Sequence, residues 1–392
     1  MGFQDSKTNL PTKKEVASFL TGNRYDLMEW AGAFGDLGTL IPFVLAYITI
    51  LKMDPAGLLF AFGMAKIVTG LYYKTPIPIQ PMKAIGIGSV AQAGEFTPAA
   101  VWGAGLFTGL VWLFLGLTGI IDRVAALAKK PVVQGIVLGL GLTFMVEGIR
   151  SMATNYFLAA IALIMTFALL GNRKFPVMFL LLALGVGTSL AVNPMLLMDL
   201  KRGIGFSLPQ FTLARWTWSE MVKGALLLAL PQVPLTLGNA VIAIVAENNE
   251  FFPQRPITEG KIAISTGLIN LLAPLFGGVP MCHGAGGMAG HVRFGARTGG
   301  SLVIMGFMVI AVAIFFNRGV NILLQLFPPA ILGVILFFAG AELALTARPE
   351  AAGRQEFYVT LVTAGFAMWN MGVAFVVGLL LHEALARGWI KV

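Results

Sequence analysis

Charge is what this chain has least of. Lys, Arg, Asp and Glu make up 11% of its 392 residues against 57% apolar residues. Soluble domains carry about 25% charge, so the composition excludes a water-soluble globular protein of the two or three domains that the length would suggest. Cysteine occurs once, at Cys282, which rules out an intrachain disulfide and a disulfide-framed secreted module. Histidine occurs three times, and Cys282, His283 and His291 do not have zinc spacing. No metal and no cofactor is expected. Neither HExxH nor GxSxG is present, so the cues for an intramembrane enzyme are missing. Long polar, Gly-X-Y or strictly alternating stretches are missing too, which excludes disorder, collagen and an outer-membrane barrel.

What remains is a succession of apolar segments. They fall near residues 27–51, 56–72, 76–94, 98–121, 132–150, 155–170 and 175–193, and after a polar, amphipathic stretch near 199–219 they resume near 220–247, 257–273, 274–297, 300–316, 320–345, 355–369 and 371–388. The expected fold class is therefore an all-α polytopic membrane protein of 14 transmembrane segments. Seven segments in each half reverse the orientation of the second half, as an inverted repeat requires. The 47 glycines crowd into these segments, as in GAGLFTG and GIVLGLG, which suits close helix packing in lipid.

The first 25 residues are polar and carry Lys7, Lys13, Lys14 and Arg24, unlike a cleavable signal peptide. The net charge of +9 reads as topology information rather than a nucleic-acid surface. With the N-terminus inside, Lys52, Arg150, Lys201, Arg202, Arg215, Lys223 and Arg318 face outward, while 18 other cations, among them Arg123, Lys129, Lys130, Arg173, Lys174, Arg293, Arg297 and Arg348, face the cytoplasm. That imbalance predicts a multi-pass protein of the plasma or inner membrane with both termini cytoplasmic. Only Lys66 and Lys83 lie within apolar segments.

Two segments cannot be continuous helices. In TPIPIQPMKAIGIGSVAQAG, Pro76, Pro78 and Pro81 break the first part, and a helix can begin at about Pro81. From there to Gly94 it spans roughly 20 Å, short of the ~30 Å hydrocarbon core. The predicted shape is a strand to mid-membrane and then a half helix. In APLFGGVPMCHGAGGMAGHVRFGARTGG, Pro274, Gly277, Gly278 and Pro280 repeat the break, with a short helix possible from about Gly284 to Arg297. Paired interruptions in two halves mark a transporter's binding site. The two helix N-termini, each with free amides and a partial positive charge, should face one another and favour an anion.

Lys83 in the first turn of a half helix has the wrong sign for the helix dipole, a penalty that a bound anion reverses; otherwise it snorkels or pairs with an acid such as Asp36. His283 either contacts the anion or serves as a structural hydrogen-bonding residue. The first segment contains GAFGDLGTLIPF with Asp36 and Thr39. Asp36 either carries a proton that moves with the substrate or partners a lysine or backbone groups. Its counterpart, LALPQVPLTLGN, offers the neutral groups Gln232, Thr236 and Asn239.

At these residues the chain resembles the molybdate transporter family, a branch of the sulfate permease superfamily. The matching stretches are FGDLGTLIPFVLAY (34–47), PIQPMKAIG (78–86) and VPMCHGAGGMAGHVRFGARTGG (279–300), and the seven-plus-seven layout covers nearly the whole chain. The resemblance implies a cytoplasmic segment 1–25, a core domain from 26–125 and 219–318 (segments one to four and eight to eleven), a gate domain from 126–198 and 319–392, and an extracytoplasmic linker at 199–218. It implies molybdate held between segments three and ten, by Gln80, Met82, Lys83 and Ala84 on one side and Cys282, His283, Gly284 and Ala285 on the other, with Thr39 and Gln232 lining the cavity. It also implies a homodimer through the gate domains, and the end at Val392 agrees with the branch that lacks a cytoplasmic regulatory domain. A secondary oxyanion transporter is therefore the expectation, for molybdate first and sulfate second. A nucleobase symporter would want carboxylates at the half-helix ends, and an anion channel would not need paired broken helices.

Overall fold

The computed structural model describes residues 22–91, 94–127, 129–170, 172, 174–212, 216–347 and 353–390. Most of the N-terminal segment, including Lys7, Lys13 and Lys14, lies outside the described residues, as do Arg173, Arg215, Arg348 and Val392.

Helix α1 (Leu27–Ala33) starts where the Asp26 carboxylate accepts from the amides of Met28 and Glu29. A turn at 34–36 follows, and α2 (Leu37–Thr49) leaves it bent by 45°. Asp36 stands at the cap of α2 and not within a continuous helix. Helix α3 (Pro55–Tyr73) opens with Asp54 as cap and Pro55 in the first turn, where no backbone donor is lost, and it ends at Lys74 in the left-handed region, φ 57°. An extended segment then leads to β1 (Gln80–Pro81) and the short α4 (Lys83–Ala91). Pro81 joins the strand instead of starting the helix as expected. Its missing N–H costs little at the edge of a two-residue ribbon.

Helices α5 (Pro98–Leu117), α6 (Ile120–Leu127), α7 (Lys130–Met152), α8 (Tyr156–Leu169) and α9 (Val177–Val192) follow, and α10 (Met195–Arg202) turns off α9 by 102°. The long α11 (Trp218–Phe251) contains two π-helical stretches, Ala225–Ala229 and Thr236–Ala243. They flank Pro231 and Pro234, which cannot donate to the preceding turn. After α12 (Glu259–Leu272) come β2 (Met281–Cys282) and the second short helix, α13 (Ala285–Arg293). Helix α13 stops short of the expected Arg297 because Gly295 turns the chain at φ 119°. Then come α14 (Gly300–Phe315), α15 (Val320–Gln325), α16 (Pro329–Thr346), α17 (Arg354–Trp369) and α18 (Met371–Ala386). The apolar run 320–345, expected as one segment, is split by Pro328 and Pro329.

Among the described residues, α3, α5, α7, α11 and α16 are long and apolar enough to cross a membrane, and the bent pairs α1–α2 and α9–α10 raise the number to as many as seven. Helices α8, α14 and α18 are shorter and apolar. The outward side chains of α5, α8 and α18 are apolar as well: Leu110, Phe114, Ile164, Phe167, Val376 and Leu380 are all more than half exposed. A water-facing surface would not carry such a belt, and a lipid-facing one requires it.

Glycine sets how closely the long helices approach. Between α3 and α14, Gly63 meets Gly306 and Gly70 meets Gly299, the cap of α14; on α7 and α16, Gly141 meets Gly340 and Gly148 meets Gly333; on α5 and α12, Gly109 meets Gly267 and Gly116 meets Gly260. In each pair one number rises by seven as the other falls by seven, so the helices run antiparallel with one glycine face against another. At all of these positions but Gly260, where the Asp122 side chain is the neighbour, a Cβ would crowd the partner helix's backbone, as expected for small-residue packing in lipid.

Candidate functional site

The two breaks meet. Strands β1 and β2 pair antiparallel in the register Gln80↔Cys282 and Pro81↔Met281, and the Met82 amide donates to the Pro280 carbonyl at 2.9 Å. Asn270 of α12 closes the other edge of β2: its amide nitrogen donates to the Met281 carbonyl (2.6 Å) and its oxygen accepts from the Met281 amide (2.8 Å). Strand β1 and the extended segment before it need fewer partners because Pro76, Pro78 and Pro81 have no N–H. Backbone at membrane depth must be satisfied inside the protein, and this ribbon satisfies it. Each half helix leaves its own strand directly, so antiparallel pairing sends α4 and α13 away in opposite directions from N-termini that share the ribbon.

The two N-termini are served differently. At α4 the Gln232 side-chain oxygen accepts from the Ala84 amide at 2.8 Å and from Ile85 at 3.4 Å, while its nitrogen donates to Thr236 Oγ1 at 2.9 Å. At α13 the cap is Gly284, with no side chain to offer. Gln80 and Asn239 converge there, and a Cβ on Gly284 would collide with the Gln80 carboxamide, which is why glycine stands at that position. Gln80 Nε2 donates to Thr39 Oγ1 at 2.5 Å, and Thr39 in turn donates to the Asp36 carbonyl. The side-chain oxygens of Gln80 and Asn239 are buried without a partner, two acceptors that call for a donor such as a water.

Lys83 is half-buried, with Nζ 3.9 Å above the centre of the Phe144 ring, a cation–π contact. Among the described residues no carboxylate comes within ion-pair distance of it. The other partner of that ring is Gly286 in the first turn of α13, where a Cβ would overlap the aromatic edge. Phe144, from α7, thus stands between the charged residue of one half helix and the glycine-rich start of the other.

Asp36 pairs with Lys66, not Lys83: Lys66 Nζ lies 2.7 Å from Asp36 Oδ2 with both side chains fully buried, and His291 Nε2 is 3.6 Å from the same oxygen. His283 is engaged at both ring nitrogens, Nδ1 at 3.0 Å from the Pro78 carbonyl and Nε2 at 2.7 Å from Ser265 Oγ. A carbonyl can only accept, so Nδ1 carries the hydrogen and Nε2 is left to accept from Ser265. Tyr73 donates to Ser265 at 2.7 Å and completes the chain. Met82, Cys282 and Ala285 are buried. The structure thus gathers Thr39, Gln80, Lys83, Ala84, Gln232, Gly284 and Ala285 around the two helix starts, while the His283 ring is held toward α3 and α12. Sequence reading did not find Phe144 or Asn270. Phe144 sits in LTFMVEG with nothing local to mark it; Asn270, a lone carboxamide in an apolar helix, carried a signal.

A family model described as "Molybdate transporter of MFS superfamily" matches residues 28–144 and 224–343. Molybdate transporter 2 of Arabidopsis thaliana is 32% identical over 395 residues, across 88% of this chain and 84% of its own. The chain belongs to the molybdate transporter family. Molybdate transporter 1 of Arabidopsis thaliana is 29% identical, across 99% of this chain and 91% of its own. The two matched stretches contain both half helices, Asp36, Thr39, Gln232 and, as the last residue of the first stretch, Phe144. Among solved structures, the transmembrane domain of the cyanobacterial bicarbonate transporter BicA aligns with a TM-score of 0.52 at 15% identity, covering 91% of this chain and 96% of that one. The murine anion transporter Slc26a9 in its inward-facing state aligns with 0.60 at 11% identity, covering 99% and 74%. At such identities the likeness is one of fold. It joins this molybdate transporter family member to those carriers in architecture, although the family description names the MFS superfamily.

Proposed function

We propose that this protein carries molybdate across the plasma or inner membrane by alternating access, binding the dianion between the N-termini of α4 and α13. The observation that carries this reading is Lys83, a cation in the first turn of a half helix with no ion-pair partner among the described residues. Cation and dipole repel there until an anion arrives. The names of the relatives supply molybdate as the substrate. Backbone amides from Lys83 to Ile85 and from Ala285 to Gly286, with Thr39, Gln80, Gln232 and Asn239, are suited to hydrogen-bond the oxygens of a tetrahedral guest.

In this reading Gln232 is a stand-in that holds the α4 amides until the anion displaces it, and Phe144 is the wall that the gate presents to the site. His283 positions the ribbon through Pro78 rather than touching substrate. Asp36 fixes the turn between α1 and α2 through Lys66. The core is formed by residues 26–125 and 219–318 and the gate by 126–198 and 319–392, arranged as a seven-plus-seven inverted repeat with both termini cytoplasmic and gate domains paired in a homodimer. The antiparallel glycine contacts support that division, since α3–α14 and α5–α12 lie within the core and α7–α16 within the gate.

The test is competition on purified protein. Molybdate and tungstate should displace a bound molybdate probe at comparable concentrations, sulfate should need at least about tenfold more, and a nucleobase should not compete at all. Displacement by a nucleobase alone would refute the assignment.

A further inference from the structure

Glu247 has no place in the site just described, yet it is buried in an apolar segment with 0% exposure. Neither of its carboxylate oxygens has a hydrogen-bond partner. It lies two turns beyond Asn239 on α11, on the part of that helix that packs against α13 and α16. The titratable and charged groups on those two helices are His291 and Arg293 on α13 and Glu342 on α16. Glu250, on the same turn of α11, is exposed. Arg293 pairs with Glu342 at 3.0 Å, both side chains partly exposed at 27% and 17%. Glu342 is a like charge on a helix packed against this part of α11. The Arg293 Nε is buried without an acceptor. A lone carboxylate so placed is held as the neutral acid or recruits a cation. Among the described residues no group of three or more His, Cys, Asp or Glu could hold a metal ion, and a proton satisfies a single buried carboxylate without further ligands.

We propose that Glu247 is the proton-binding group that drives anion uptake, acting through the Arg293–Glu342 ion pair. The inference rests on the carrier reading above. With a proton on Glu247, Arg293 stays with Glu342 and ties the half helix α13 to α16 across the boundary of core and gate. When the proton leaves to water, the carboxylate competes for Arg293 and loosens that tie. The proton enters with the anion and offsets one of its two charges.

The experiment is molybdate uptake into proteoliposomes with and without an imposed gradient, acid outside. Wild-type accumulation should rise roughly tenfold per unit of gradient, the equivalence of one proton. Glu247→Gln, which mimics the protonated acid, should bind molybdate with wild-type affinity and accumulate it equally with and without the gradient. Glu247→Asp, which keeps an ionisable carboxyl, should restore the response. A gradient response retained by Glu247→Gln, or wild-type uptake that ignores the gradient, overturns the proposal. Loss of molybdate binding by Glu247→Gln overturns it as well, because the residue would then serve the anion site or the fold. Failure of the carrier reading looks different: wild type would show no saturable uptake under any gradient.

Discussion

Gln232 does at the start of α4 what a bound anion would do, with a neutral oxygen in place of a charged one. This makes Gln232→Glu a direct probe. A carboxylate there accepts the same two amides, gains from the helix dipole and sits near Lys83, so the variant should be more stable by up to about 1 kcal/mol. By supplying its own anion it should also bind molybdate at least roughly tenfold more weakly, as read by calorimetric titration beside a thermal melt in detergent. Unchanged affinity would place Gln232 outside the anion's path. Asp36 makes a different claim. Asp36→Asn leaves the Lys66 ammonium buried beside a neutral amide, and breaking such a pair costs about 3–5 kcal/mol. The melting temperature should fall accordingly, and Asp36→Asn with Lys66→Met should recover most of the loss. If the single variant melts like wild type, the pair does not hold the turn between α1 and α2.

At the level of elements, the glycine-to-glycine contacts predict where bulk is forbidden. A Cβ on Gly141 would lie 2.7 Å from both the Gly340 carbonyl oxygen and the Ala344 amide, so Gly141→Leu should push α7 off α16 and abolish the monodisperse peak in size-exclusion chromatography. A Cβ on Gly365 of α17 would have no neighbour within 4 Å, and Gly365→Leu should elute like wild type. A normal elution profile for Gly141→Leu would remove the close-packing role. The broken elements were legible in advance because proline and glycine act locally: Pro76, Pro78 and Pro81, and Pro274 with Gly277 and Gly278, forbid helix wherever the rest of the chain lies. The half-helix starts and stops shifted by a few residues, since strand pairing recruited Pro81 and Gly295 ended α13 early. The partners were not legible. That Asp36 takes Lys66, that His291 joins them, and that Phe144 bridges Lys83 and Gly286 are contacts between residues far apart in sequence, and no periodicity or spacing records them.

For the whole molecule, the proposed alternating access requires a site between the two half helices that one side of the membrane reaches at a time. Uptake into proteoliposomes should therefore saturate, and molybdate loaded inside should accelerate entry of labelled molybdate from outside. A flux that rises linearly with concentration and ignores internal molybdate would indicate a channel. All of this depends on an unpaired cation at the start of α4 awaiting a dianion, and calorimetric titration of molybdate into Lys83→Ala tests it most directly. A hydrogen bond to a charged group contributes about 1.5–3 kcal/mol, so affinity should fall about 10- to 100-fold while the melting temperature of the anion-free protein stays at or above the wild-type value. Wild-type affinity in that variant would contradict the account.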